Sequence, residues 1–135
     1  MSPMVKYLKV EIYDITVVFM LNPTRVEFEM MYHDNATRIL DEEYKQMQKD
    51  VFENDKCGGF TFPLECGDIV CCVKEPYKEG YVAHEILHTT NRILLRRGVV
   101  ADFDNDEPQT YLDGWLTDKY YEYLSELTKE LEKKK

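Results

Sequence analysis

His84-Glu85-Ile86-Leu87-His88 is the segment whose residue types and spacing could do chemistry. On an α-helix, positions i and i+4 lie on one face, so both imidazoles can reach a single cation. Glu85 stands about 100° around the helix from His84 and can address the open side of that cation instead. Zinc suits the arrangement. It accepts imidazole nitrogen, prefers four ligands and makes its bound water a usable nucleophile near neutral pH. A carboxylate beside it can take the water's proton and pass it to a leaving amine. The pattern therefore predicts Zn2+ on His84 and His88, with Glu85 as the general base of peptide-bond hydrolysis. The bland alternative is two surface histidines one turn apart beside a solvated acid.

A catalytic zinc keeps three protein ligands and one open position, so a third ligand is needed. No histidine follows His88, and Asn91 and Leu94 stand where the long metzincin pattern requires Gly and His. The one earlier histidine, His33, lies far off in an apparent loop. The acids of Asp102-Phe103-Asp104-Asn105-Asp106-Glu107 are the remaining source. Glu107 is favoured because it opens the last helix, with Tyr111 one turn later on the same face; Asp106 stays open as the alternative. Tyr111 is the candidate hydrogen-bond donor to a developing oxyanion, with Tyr81 and Tyr120 behind it. Packing is the competing role for any one of ten tyrosines. Asp104 or Asp113 could accept from a ligand imidazole. The acidic run is not a calcium loop, since it lacks the required glycine and the later bidentate Glu.

His84-Glu85-Ile86-Leu87-His88 followed by Glu107 resembles the layout of gluzincin metallopeptidases, in which the third ligand is a Glu on the next helix. The segment Asn105-Asp106-Glu107-Pro108-Gln109-Thr110-Tyr111-Leu112 is similar to the second motif of minimal members, the ImmA/IrrE-type metallopeptidases and compact phage-encoded zincin-like proteins. The likeness covers roughly residues 58 to 125. It implies a zincin-like fold, a protein or peptide substrate, and a strand before the motif helix forming an edge along which substrate lies; here that strand would be Asp68 to Lys74. Pro108 departs from the pattern by pushing Glu107 into the first turn of its helix.

The elements that must position these residues can be read in outline. Tyr7 to Leu21 is rich in β-branched and aromatic residues and reads as one long strand or two short ones bent near Asp14. Asn22-Pro23-Thr24 breaks it, Val26 to Tyr32 fits helix or strand, Asp34-Asn35 marks a loop, and Leu40 to Phe52 has helical periodicity. Lys56-Cys57-Gly58-Gly59 is a turn before two short strands, Phe60 to Leu64 and Asp68 to Lys74. The second is nearly continuous apolar, as a strand buried on both faces or on a covered edge must be. Pro76 ends it. A helix is expected from about Lys78 to Arg97 with Gly98 behind it as cap, then a loop, then a last amphipathic helix over about Glu107 to Lys133. The order predicts one α+β domain spanning residues 1–135, a small sheet packed on helices.

Composition narrows the function classes. A chain of 135 residues with 26 acids against 17 bases carries a formal charge of −9, which repels phosphate backbones. Nucleic acid is not an expected partner. The one basic cluster, Lys133-Lys134-Lys135, suits a helix C-terminus. The longest apolar run, Ile15 to Leu21, is far too short for a membrane span, and no signal-peptide order is visible, so a cytoplasmic protein is expected, in the host cytoplasm if phage-encoded. The four cysteines contain no Cys-x-x-Cys pair, which predicts reduced thiols rather than a zinc ribbon. Oligomeric state has no signature here. The competing reading of the whole is a non-catalytic, zinc-containing binding or regulatory protein, in which a side chain fills the fourth coordination position.

Overall fold

A computed structural model describes residues 4–29, 46, 49–50, 52–53, 58–64, 66–75, 77–100 and 102–133. His33, the Asp34-Asn35 loop, most of the 40–52 helix, Cys57, Pro76 and the last two lysines lie outside the described residues.

The apolar stretch at the start of the chain forms two strands, β1 (Met4–Val10) and β2 (Ile15–Leu21), joined through a 3-10 turn at Glu11–Tyr13. Asp14 closes the turn in the left-handed region at φ 50°, a conformation that short polar Asp tolerates better than most side chains. β1 pairs antiparallel with β2, Met4 opposite Leu21 and Val10 opposite Ile15. At 25–29 the ambiguous stretch is helical. The deciding signal is Thr24 as N-cap: Glu27 N–H donates to Thr24 Oγ1 at 3.3 Å, and the Thr24 hydroxyl in turn donates to Glu27 Oε1 at 2.7 Å.

β3 (Gly59–Pro63) and β4 (Ile69–Val73) complete a four-stranded sheet in the order β1-β2-β4-β3. β2 and β4 run parallel, with Val17 opposite Ile69, and β3 is antiparallel to β4. All five residues of β4 are buried. This corrects the expected edge: Ile69–Val73 is central, and the outer strand next to the motif helix is β3. The continuous apolar run explains it, since a strand with no polar alternation has two faces to bury. The less buried strand ending in Pro63 takes the outer position, where proline is tolerated.

Ile15, Val17, Phe19, Leu21, Ile69, Cys71 and Val73 project to one face and pack against two helices, α1 (Glu79–Arg96) and α2 (Glu107–Lys133). Val18, Met20, Val70 and Cys72 project to the other, where Phe28, Phe62 and Leu64 join them, with Phe52 and Phe60 packed alongside. The class is α+β. α1 ends as its Gly98 signalled: Gly98 N–H donates to the Leu95 carbonyl at 3.2 Å and Val99 N–H to the Leu94 carbonyl at 2.9 Å, with Gly98 at φ 69°. Arg97 then reaches the hairpin, donating to the Tyr13 and Asp14 carbonyls at 2.6 and 2.9 Å and tying the end of α1 to the β1–β2 turn. Among the described residues no helix is long and apolar enough to cross a membrane.

Candidate metal centre

α1 carries the motif on the flank it turns toward β3 and solvent. Val82, Ile86, Ile93 and Leu94 bury its core face, which leaves His84 and His88 exposed and holds Glu85 buried at the boundary, 4% exposed. The two imidazoles converge: His84 Nε2 and His88 Nε2 lie 3.0 Å apart, with the rings nearly perpendicular. Two nitrogens bound tetrahedrally to one zinc at about 2.0–2.1 Å would stand about 3.3 Å apart, so the pair fits a shared ion with almost no movement. A carboxylate oxygen of Glu85 completes a group whose ligand atoms all lie within 4.8 Å of one another.

Glu85 is held from the sheet. The Thr61 hydroxyl on β3 donates to Glu85 Oε1 at 3.1 Å, and Thr89 donates to the Glu85 carbonyl at 2.8 Å. Gly59, two residues before Thr61 on the same face of β3, explains how the side chain fits: a Cβ there would stand 2.8 Å from Glu85 Cγ and 2.3 Å from the Cys72 carbonyl. Gly58 does the same for Tyr81, whose ring would meet its Cβ at 2.0 Å.

These surroundings set the electrostatics. Burial pushes the Glu85 carboxyl above the ordinary range, and the Thr61 hydrogen bond and the His84 charge pull it partly back. Burial also lowers His88, helped by the charges of His84 and Arg92, which favours the neutral imidazole that a metal requires. The imidazole is thus kept in the neutral form that a metal would need, while burial makes the Glu85 carboxylate a stronger proton acceptor at the expense of its charged form.

The other predicted site residues are placed elsewhere. Gln109 donates to Asn91 at 2.6 Å and Thr90 to Asp113 at 3.5 Å, so α2 returns antiparallel along α1 with Gln109 and Asp113 on the shared seam. With Gln109 level with Asn91, Glu107 stands roughly 7 Å beyond His88 along the helix axis at 1.5 Å per residue. Glu107 is exposed, and with Tyr111 and Trp115, one turn apart each, it lines a groove of about 870 Å³ against Leu8, Val10 and Ile12. The structure therefore does not bring Glu107 or Tyr111 together with the histidine pair; Tyr111 is 75% exposed. Asp106 is likewise exposed and outside the group. Asp104 belongs to the exposed loop, its backbone N–H donating to Asp102 at 2.9 Å. Tyr120 is fully buried against Phe19, its hydroxyl without a hydrogen-bond partner, which is a core position. Tyr81 is the tyrosine on the motif helix beside the site, one turn before Glu85.

Thr61 and Gly59 are the site residues that the sequence reading missed. A polar residue on the inward face of a strand between two phenylalanines was the available signal, and only the sheet order shows that it faces Glu85. No family model matches the chain, and no match is found among curated proteins or solved structures.

Proposed function

We propose that the chain is a zinc-dependent peptidase of the gluzincin kind, with His84 and His88 as ligands and Glu85 as general base. The observation that supports this reading is the convergence of two exposed imidazole nitrogens at 3.0 Å beside one buried carboxylate. A zinc ion there would supply a Lewis acid and a water acidified to near neutrality. The protein's own contribution is to hold both imidazoles on one helix face and to present a carboxylate whose raised pKa suits proton transfer. Glu85 would accept the water's proton at a carboxylate oxygen and return it to the leaving amine. The third ligand is assigned to Glu107 by its spacing from His88, with Asp106 as the alternative; either carboxylate has to come round the first turn of α2 to reach the pair. Tyr111 as oxyanion donor requires the same movement, and a protein or peptide is the substrate class this chemistry implies.

The competing reading, a non-catalytic zinc-binding protein, draws on one feature: Glu85 itself offers an oxygen within ligand distance of the pair. One experiment separates them. Purified protein and its Glu85→Gln variant are compared for zinc content and for cleavage of a peptide library. A base predicts about one zinc per chain in both and a loss of cleavage of about 10²–10⁴-fold in the variant. Loss of zinc from Glu85→Gln would instead make Glu85 a ligand, and equal cleavage by both would remove it from the mechanism. Glu107→Ala and Asp106→Ala, measured for zinc affinity alongside, identify the third ligand.

A further inference from the structure

Whether Glu85 acts as a base or as a ligand is decided by something other than its distance from the histidines, because its carboxylate oxygen already lies within 4.8 Å of both ligand nitrogens. A modest side-chain rotation would carry it onto a cation held there. What opposes that rotation is on β3. The stem of Glu85 lies across Gly59, where even a methyl group would collide with it, and its head is caught by Thr61 at 3.1 Å. The Thr61 hydroxyl also lies 3.4 Å from the Glu85 carbonyl, so one side chain spans the backbone and the head of the same residue. Both contacts come from β3, whereas the imidazoles are carried by the helix.

We propose that Thr61 is a positioning residue that keeps Glu85 off the metal: its hydroxyl pins Oε1 to β3 so that the carboxylate serves as a base and not as a third or fourth ligand. The inference rests on the metal reading of His84 and His88 and adds to it a division of labour between helix and strand. The helix supplies the ligands, and the strand withholds the acid. A hydrogen bond to a charged carboxylate competes directly with ligation, so its removal should favour ligation by about tenfold or more.

The test needs no substrate. Co2+ is titrated into metal-free wild type, Thr61→Val, Thr61→Ser and the double variant Thr61→Val/Glu85→Gln, following the visible absorption bands and the affinity by chelator competition. Thr61→Val should bind Co2+ about tenfold or more tightly, with bands shifted by the added carboxylate. Thr61→Ser, which restores the hydroxyl, should match wild type. Adding Glu85→Gln to Thr61→Val should cancel the gain, which a general effect of Thr61 on the strand would not do. Thermal melts check folding; should Thr61→Val not fold, Thr61→Ala removes the same donor. Wild-type spectrum and affinity in a folded Thr61→Val or Thr61→Ala would overturn the inference, as would Glu85 ligating the ion in a crystal structure of zinc-loaded wild type. If wild type binds no Co2+, or His84→Ala and His88→Ala bind it as well as wild type, the metal reading itself fails, and that result is distinct from the first.

Discussion

A buried carboxylate one residue from an exposed imidazole is under opposed demands. Burial disfavours its charge, and its use as a base requires that the charge be available. In Glu85 the Thr61 hydroxyl and the His84 charge temper the effect of burial. The same burial silences Cys71, which lies beneath the motif helix with Thr89 and Glu85 as neighbours. Its thiol is pushed up to about 12, chiefly by burial, with the Thr89 hydrogen bond lowering it and the Glu85 charge raising it further. At pH 8 that leaves a thiolate fraction of about 10⁻⁴. Cys66, also a free thiol, is exposed. Brief iodoacetamide treatment of the native protein should therefore alkylate Cys66 and spare Cys71 and Cys72 until denaturant is added, as read by peptide mass spectrometry. Rapid native labelling of Cys71 would mean that the central strand opens. At this scale the sequence was informative about the motif and silent about its support. His84, Glu85 and His88 fall within five consecutive positions of one helix, where spacing alone fixes the geometry. Thr61 and Gly59 reach Glu85 only through a non-local strand.

Elements show the same division. α1 and α2 were legible nearly to the residue because each carries its own period and α1 its own stop: Gly98 adopts the positive φ that ends the helix. β4 declared its burial through an unbroken apolar run. Its neighbours did not follow from that run, since a parallel pairing with β2 and an outer β3 depend on contacts far apart in sequence. The rotation of α2 against α1 was equally hidden, and it decides whether Glu107 or Asp113 faces the motif helix. Asp113 faces it, half-buried, with its carboxyl raised by burial and pulled back by the Thr90 hydroxyl. Its folded pKa thus lies above the unfolded value of 3.8, so the stability linked to it is present below about pH 3.8 and lost as pH rises through the folded value. Asp113→Asn keeps an acceptor for Thr90 and removes the buried charge. In the metal-free protein it should raise Tm at pH 7 by a few degrees, and the difference should vanish as pH falls toward 3.8. A variant less stable at both ends of that range would show that the charge itself holds the seam together.

For the whole molecule, a metal held by His84 and His88 would be linked to folding, because both residues sit on one helix whose position depends on the sheet and on α2. An ion bound to the folded chain and not to the unfolded one stabilises by RT ln(1 + [L]/Kd), about 2.7 kcal/mol at a hundred times Kd. The net charge of −9 raises the local concentration of any cation but selects none, so specificity has to arise at the imidazoles. Calcium or magnesium, which favour oxygen ligands, should leave the melting curve unchanged at concentrations where zinc moves it by several degrees. The zinc increment should also depend on pH in one direction. Ligation needs neutral imidazoles, and the depressed pKa of His88 keeps that ring neutral at pH 7, so the increment should be full there and shrink as pH falls toward 5. Excess chelator should return wild type to its metal-free Tm, and His84→Ala and His88→Ala should melt at the same temperature with or without zinc. A zinc-dependent rise that survives in the double histidine variant would place the ion at another site, and the convergence of the two rings at 3.0 Å would then be packing rather than function.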